Sequence, residues 1–299
     1  MKNIDVGLYC YMSHDLSLPN QYDLMKDVIS YADQEGFKFV WVVDGYFQST
    51  INLQLNPAVL HSALSVITSS VSLRGECMIS TFRDVLREAE EWSVIDNLSN
   101  GRAGLALYTV SESGQPIEET IAYMKNLKDL WKGHSVQRKN GLGEEIEVKI
   151  FPRPIQEESP VWIPLSAGKS DFSSLGASGA NLLTILKNDV KELKSEISLY
   201  RAAAEKEGFG KSVVTVISNN ENTVSQPLRN YLKRSMNLED SVTFGEKSSL
   251  SEKLLNQVAE SGADELACLV DLTQGRQKIF ESLQQLSEKL LQKTLQTSA

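Results

Sequence analysis

The chain is poor in the residues that mark several common functions. Its three cysteines, Cys10, Cys77 and Cys268, are widely spaced among apolar neighbours. That spacing gives no disulfide framework and no CxxC metal motif; it reads as three buried, reduced thiols in a cytoplasmic protein. Histidine is as scarce, at three residues in 299. No apolar run reaches the ~18 residues that span a bilayer. The opening MKNIDVGLYCYM has no long apolar core or small-residue cleavage site, which argues against secretion. Basic charge is also short: a formal charge of −9 gives no positive face for nucleic acid. The turn after the first strand-like run, SHDLSLPN, has no glycine, so the dinucleotide fingerprint of an open doubly wound sheet is missing.

What is present is alternation of two element types along the whole length. Strand-like runs fall at 4–12, 37–43, 72–80, 102–110, 161–167, 180–186, 213–218 and 266–272. Between them lie segments of helical period at 22–34, 56–70, 84–98, 117–131, 173–179 and 190–206. A polar helical region at 223–256 and a final amphipathic helix at 277–295 complete the series. Asn56-Pro57 opens one helix, and Asn100-Gly101 closes another. Residues 141–155 interrupt the rhythm with a charged turn and alternating Ile146, Val148 and Ile150. Eight strand–helix units with nearly continuous apolar strands and no linker predict one domain over residues 1–299. Its expected fold is an α/β (β/α)8 TIM barrel with a hairpin excursion before strand five.

Chemistry in such barrels sits at the C-terminal ends of the strands. That rule selects residues 13–15, 44–48, 80–81, 109–113, 166–171, 184, 219–221 and 271 as the mouth. His14 is the one histidine in the set, so a histidine-ligated metal is not expected. In PLSAGKSDFSSLG, the small Ser166, Ala167 and Gly168 let backbone amides approach an anion. Lys169 adds a cation and Ser170 a hydroxyl, ahead of a helix N-terminus. The competing reading is an ordinary Ser/Gly-rich turn capped by Ser170 or Asp171. FVWVVDGYFQ delivers Asp44, Tyr46 and Phe47 to the end of strand two, where they form either a site or an aromatic plug. Trp92, Ile95 and Leu98 read as core or subunit contacts.

The order of YADQEGFKFVWVVDGYF, NPAVLHSALSVITSSVSLRGE and REAEEWSVIDNLSNGRAGLAL strongly resembles the luciferase-like flavin-dependent monooxygenases. MKNLKDLWKG, IFPRPIQEESPVWIPLSAG, LGASGANLLTIL and GADELACLVDL continue the likeness down the chain. The branch most resembled acts in polyketide and nonribosomal peptide pathways. The resemblance implies reduced flavin mononucleotide (FMN) at the barrel mouth, reacting with oxygen. It also implies a small-molecule substrate such as a polyketide or peptide intermediate, and dimers through the helices after strands two and three. The partner is a second copy or a related barrel.

By the same resemblance Ser166, Ala167 and Gly168 contact the flavin phosphate; Lys169, which replaces a typically neutral residue, and Ser170 complete the expected cofactor site. Asp44 and Tyr46 stand at the catalytic loop, and His14, Phe47, Met78 and Tyr108 line the substrate pocket. Gly45 and Tyr46 occupy positions where the family carries basic side chains, and MISTFRD lacks the histidine and proline usual after strand three. Weak or absent FMN binding is therefore expected. A catalytically degenerate barrel, acting as a partner subunit or ligand-binding protein, is the second expectation.

Overall fold

The computed structural model describes residues 3–12, 21–43, 56–79, 84–109, 117–165, 171–186, 189–209, 213–219, 252–273 and 275–291. Eight parallel strands close into a barrel. In chain order these are β1 (Asp5–Tyr11), β2 (Phe39–Val42), β3 (Ser72–Ile79) and β4 (Ala103–Thr109), followed by β7 (Val161–Pro164), β8 (Asn181–Ile185), β9 (Val214–Asn219) and β10 (Glu265–Asp271). Each pairs in parallel with its chain neighbours, and β1 pairs with β10 over seven residues to close the ring. The intervening β5 (Val136–Lys139) and β6 (Glu145–Val148) form a separate antiparallel hairpin between β4 and β7. This is the TIM barrel with its excursion.

The helices between the strands are α1 (Gln21–Glu35), α2 (Pro57–Ser65), α3 (Val85–Ser99), α4 (Ile117–Lys132), α5 (Phe172–Ser178), α6 (Val190–Lys206), α7 (Glu252–Ser261) and α8 (Arg276–Leu286). The last runs on as a π-helical turn at Ser287–Leu291. Local chemistry sets their ends. The Asn56 side chain accepts from the Val59 N–H with Pro57 in the first turn, and Asp84 and Asp189 cap α3 and α6 in the same way. Asn100 closes α3 in the left-handed conformation. None of the described helices is long and apolar enough to cross a membrane.

Period-two alternation sorts the strand residues into two cores. Leu8, Cys10, Val40, Leu73, Leu105, Ile163, Leu182, Val216, Leu266 and Cys268 face outward and pack under the helices. Tyr9, Tyr11, Phe39, Trp41, Ala106, Trp162, Leu183, Ile217, Ala267 and Leu269 fill the barrel interior. Burial pushes the Cys10 and Cys268 thiols up to about 12, so they are inert in the outer core. Gly7 is required where it stands, because a Cβ there would lie 2.4 Å from the Phe39 ring and carbonyl.

Two details differ from the sequence reading. Helix α2 stops at Ser65 rather than near 70, where Val66, Ile67 and Thr68 bring β-branched residues together. Both Asp33 carboxylate oxygens then accept from Ser69, Ser70 and Val71, fixing the following turn. The hairpin also begins at Val136, earlier than the predicted excursion, because its first strand is polar and recognisable only through its pairing with β6.

Candidate functional site

The N-terminal floor of the barrel is a closed polar network. Arg74 on β3 donates to both oxygens of Glu265 on β10, at 2.6 and 2.9 Å. The Glu265 carboxylate also accepts from Thr215 Oγ1, which itself accepts from Trp162 Nε1. The Arg74 guanidinium lies 4.2 Å from the ring centres of both Phe39 and Trp162. With every group of this pair satisfied, the floor is a structural plug. Midway up, the Tyr9 hydroxyl donates to Glu76.

The C-terminal end is built differently. The last described inward residues are Tyr11 on β1, Val43 after β2, Tyr108 on β4, Ile185 on β8, Ile217 on β9 and Asp271 on β10. Tyr11 and Asp271 are register partners across the β1–β10 seam. Tyr11 is buried, and burial followed by the nearby Asp271 charge pushes its phenol up to about 12, so it stays a proton-bearing donor. Asp271 is 3% exposed. Its Oδ1 accepts from the Thr273 N–H at 3.0 Å, while its Oδ2 is buried with no partner among the described residues.

Of the residues predicted from sequence, Tyr108 is buried on β4 at this end, and its register partner is Met78 on β3. The Met78 side chain lies outside the described set, as do His14, Asp44, Tyr46, Phe47, Ser166, Ala167, Gly168, Lys169 and Ser170. Thr184 is corrected. Leu183 and Ile185 belong to the inner core and Leu182 to the outer, so Thr184 turns outward under the helices. A strand has period two, and a one-residue shift exchanges its faces. Sequence reasoning passed over Tyr9, Tyr11 and Glu76 as candidates. Their signal was available in the alternation of YCY and in Arg74 and Glu76, two charges at i,i+2 in an otherwise apolar strand. Among the described residues no group of three His, Cys, Asp or Glu side chains is placed to hold a metal ion.

Tyr11, Val43, Ile185, Ile217 and Leu269 are buried together on the inner wall, which is aromatic and aliphatic toward this end.

On the outside, α3 works as a clamp. Asp96 accepts from the Ile155 and Gln156 backbone N–H groups and from Gln156 Nε2, at 2.6 to 2.9 Å. Asn97 donates to the Arg153 carbonyl and Ser93 to that of Pro152. Arg102 donates to the carbonyls of Ser65, Thr68 and Val71. The most distinctive stretch of the sequence, EEWSVIDNLSNGR, thus holds the chain that enters β7.

Comparison with known proteins agrees with this architecture. The monooxygenase RslO1 from Streptomyces bottropensis superposes with a TM-score of 0.75 at 16% identity, covering 97% of this chain and 99% of that one. The oxygenating constituent of 3,6-diketocamphane monooxygenase from Pseudomonas putida, solved with FMN, gives 0.70 at 12% identity, with 96% and 98% covered. Riboflavin lyase RcaE, solved with modified FMN and riboflavin, gives 0.70 at 12%, with 99% and 92% covered. At these identities the likeness establishes the fold. No curated protein sequence matches the chain. The family description "Luciferase-like monooxygenase" matches residues 6–262. The chain belongs to the luciferase-like monooxygenase family.

Proposed function

We propose that the protein is an FMN-dependent oxidoreductase of the monooxygenase type. The observation that carries this reading is the family match over residues 6–262, on a closed barrel whose inward face ends in an aromatic and apolar wall. FMN, when bound in reduced form, supplies the electrons and the centre at which oxygen is activated. Tyr11, Val43, Ile185 and Ile217 exclude water from the ring, which strengthens every polar interaction beside it. Ser166, Ala167, Gly168, Lys169 and Ser170 are assigned to the phosphate, and Asp44 and Tyr46 to the reacting end. With Gly45 and Tyr46 in place of basic side chains, flavin is held weakly and exchanges between turnovers.

The same replacement favours a second reading, a barrel that has lost turnover and serves as a partner or ligand-binding subunit. Mixing anaerobic reduced FMN with excess protein and then with oxygen separates the two. Active protein changes the rate of flavin reoxidation, and the change saturates with protein. A rate equal to that of free FMN at every protein concentration supports the degenerate barrel.

We assign the protein to cytoplasmic secondary metabolism, with a polyketide or peptide intermediate as substrate, because the sequence motifs resemble that branch of the family. We assign α2 and α3 to a dimer interface. Val59 on α2, Val66 just after it, Val94 and Leu98 on α3, and Phe151 and Ile155 in the chain after the hairpin are all exposed apolar side chains. Val59, Val94 and Phe151 line one groove, whose charged rim is Arg87, Glu90 and Glu91. The occupant is a second copy of this chain.

A further inference from the structure

The barrel interior holds three carboxylates on described strands, and the fold uses only two of them fully. Glu265 is bound by Arg74 and Thr215, and Glu76 accepts from Tyr9. Asp271 differs. It ends β10 on the inward face, in phase with Glu265, Ala267 and Leu269. One oxygen takes the Thr273 N–H and forms a local turn. The other is buried with no partner among the described residues. An ionisable oxygen left unsatisfied away from water is costly, and such a group in a folded protein needs an explanation. Its location supplies one: it stands at the catalytic end of the barrel, beside the Tyr11 hydroxyl. The inward cation among the described residues is Arg74, committed to Glu265 at the other end of the strands.

We propose that Asp271 anchors a hydrogen-bond-donating group of the substrate, a protonated amine or a hydroxyl, through Oδ2 in the barrel mouth. This rests on the oxidoreductase reading of the mouth and adds to it the polarity of the molecule that enters. The carboxylate accepts, the substrate donates, and the surrounding apolar wall strengthens the bond by excluding water. The ligand completes a site that the described residues leave half satisfied.

Three probes of one shape test this: benzylamine, benzyl alcohol and toluene, titrated into wild-type protein, Asp271→Asn and Asp271→Leu and followed by ligand-observed NMR. In the wild type at least one donor probe binds about tenfold or more tighter than toluene, the size of one charge-assisted hydrogen bond. The amine and alcohol arms distinguish a charged donor from a neutral one. In Asp271→Leu the preference disappears. Asp271→Asn keeps an oxygen for the Thr273 turn and places a donor where the carboxylate oxygen stood, so it loses the preference for the amine, while the alcohol oxygen can still accept from the new N–H. Thermal melts of the ligand-free variants give a second readout: Asp271→Asn, which keeps an acceptor for the Thr273 N–H, melts no lower than wild type, whereas Asp271→Leu loses that one bond. Equal affinity for all three probes, no saturable binding by either donor, or variants that melt well below wild type while keeping the preference would overturn the proposal. FMN titration of the same variants separates this from the flavin reading. Intact FMN binding without donor preference sinks the anchor alone, and donor preference without FMN binding sinks the flavin reading alone. A loss of FMN affinity in Asp271→Asn with donor preference unchanged assigns the carboxylate to the flavin and also overturns the proposal.

Discussion

Arg74 is packed between two aromatic rings and bound to a carboxylate across the barrel, so its removal tests how the floor is held. Arg74→Met leaves Glu265 buried and unpaired, and we expect a loss of about 3–5 kcal/mol in urea unfolding. Changing Glu265 to Leu in the same protein restores most of it, because an apolar pair has no charge left to compensate. His61 gives a residue-scale pH dependence. It is fully buried, with Nδ1 bonded to the Pro57 carbonyl, and burial holds its pKa below the ordinary 6.5 despite that bond. The unfolded chain therefore takes up the proton more readily than the folded one. Stability is fully present above the unfolded value and falls as pH drops from about 6.5 toward the lower folded value. Unfolding midpoints measured on either side of that window show this slope, and His61→Leu flattens it. Asp33 acts in a more acidic window. Burial alone would raise its carboxyl, but hydrogen bonds from Val71, Ser69 and Ser70 outweigh it and hold the group well below the ordinary carboxylate range. Its contribution is present above the unfolded carboxylate value and is lost as pH falls further. None of these roles was legible in the sequence: the partners of Arg74 and Asp33 are distant along the chain, and the burial that governs His61 is set by tertiary packing.

At the scale of elements, strand alternation was the readable signal. It separates Leu8 and Cys10, which face the helices, from Tyr9 and Tyr11, which face inward, and it locates all eight barrel strands. It fails where pairing rather than composition decides: the polar β5 has no apolar stripe, and Thr184 reads as a mouth residue until the phase of β8 is fixed. The clamp on α3 was visible as a distinctive motif, yet the motif alone did not reveal that Asp96 binds backbone sixty residues away. Close packing of β1 against β2 predicts that Gly7→Ala destabilises by about 1–3 kcal/mol, since the added carbon has to displace Phe39 or its backbone. The exposed apolar stripe on α2 and α3 predicts a dimer. Leu98→Glu sediments as a monomer while the wild type sediments at twice the mass of one chain, and an unchanged wild-type-like dimer would place the interface elsewhere.

For the whole molecule, the barrel divides its labour between its two ends. At the floor Arg74, Glu265 and Thr215 pair with one another; the opposite end is aromatic and apolar, with Asp271 half satisfied. That asymmetry suits a fold that binds and reacts at the C-terminal rim. Family membership was legible from motif order, while the site was legible only in position. Asp44, Tyr46 and Ser166 to Ser170 lie outside the described residues, and alternation and spacing do not encode side-chain placement. The proposal that the mouth takes FMN is tested by a fluorescence titration of FMN with the purified protein: weak but saturable one-to-one quenching by a protein that purifies colourless is expected. Emission identical to that of free FMN up to the highest attainable protein concentration would contradict it.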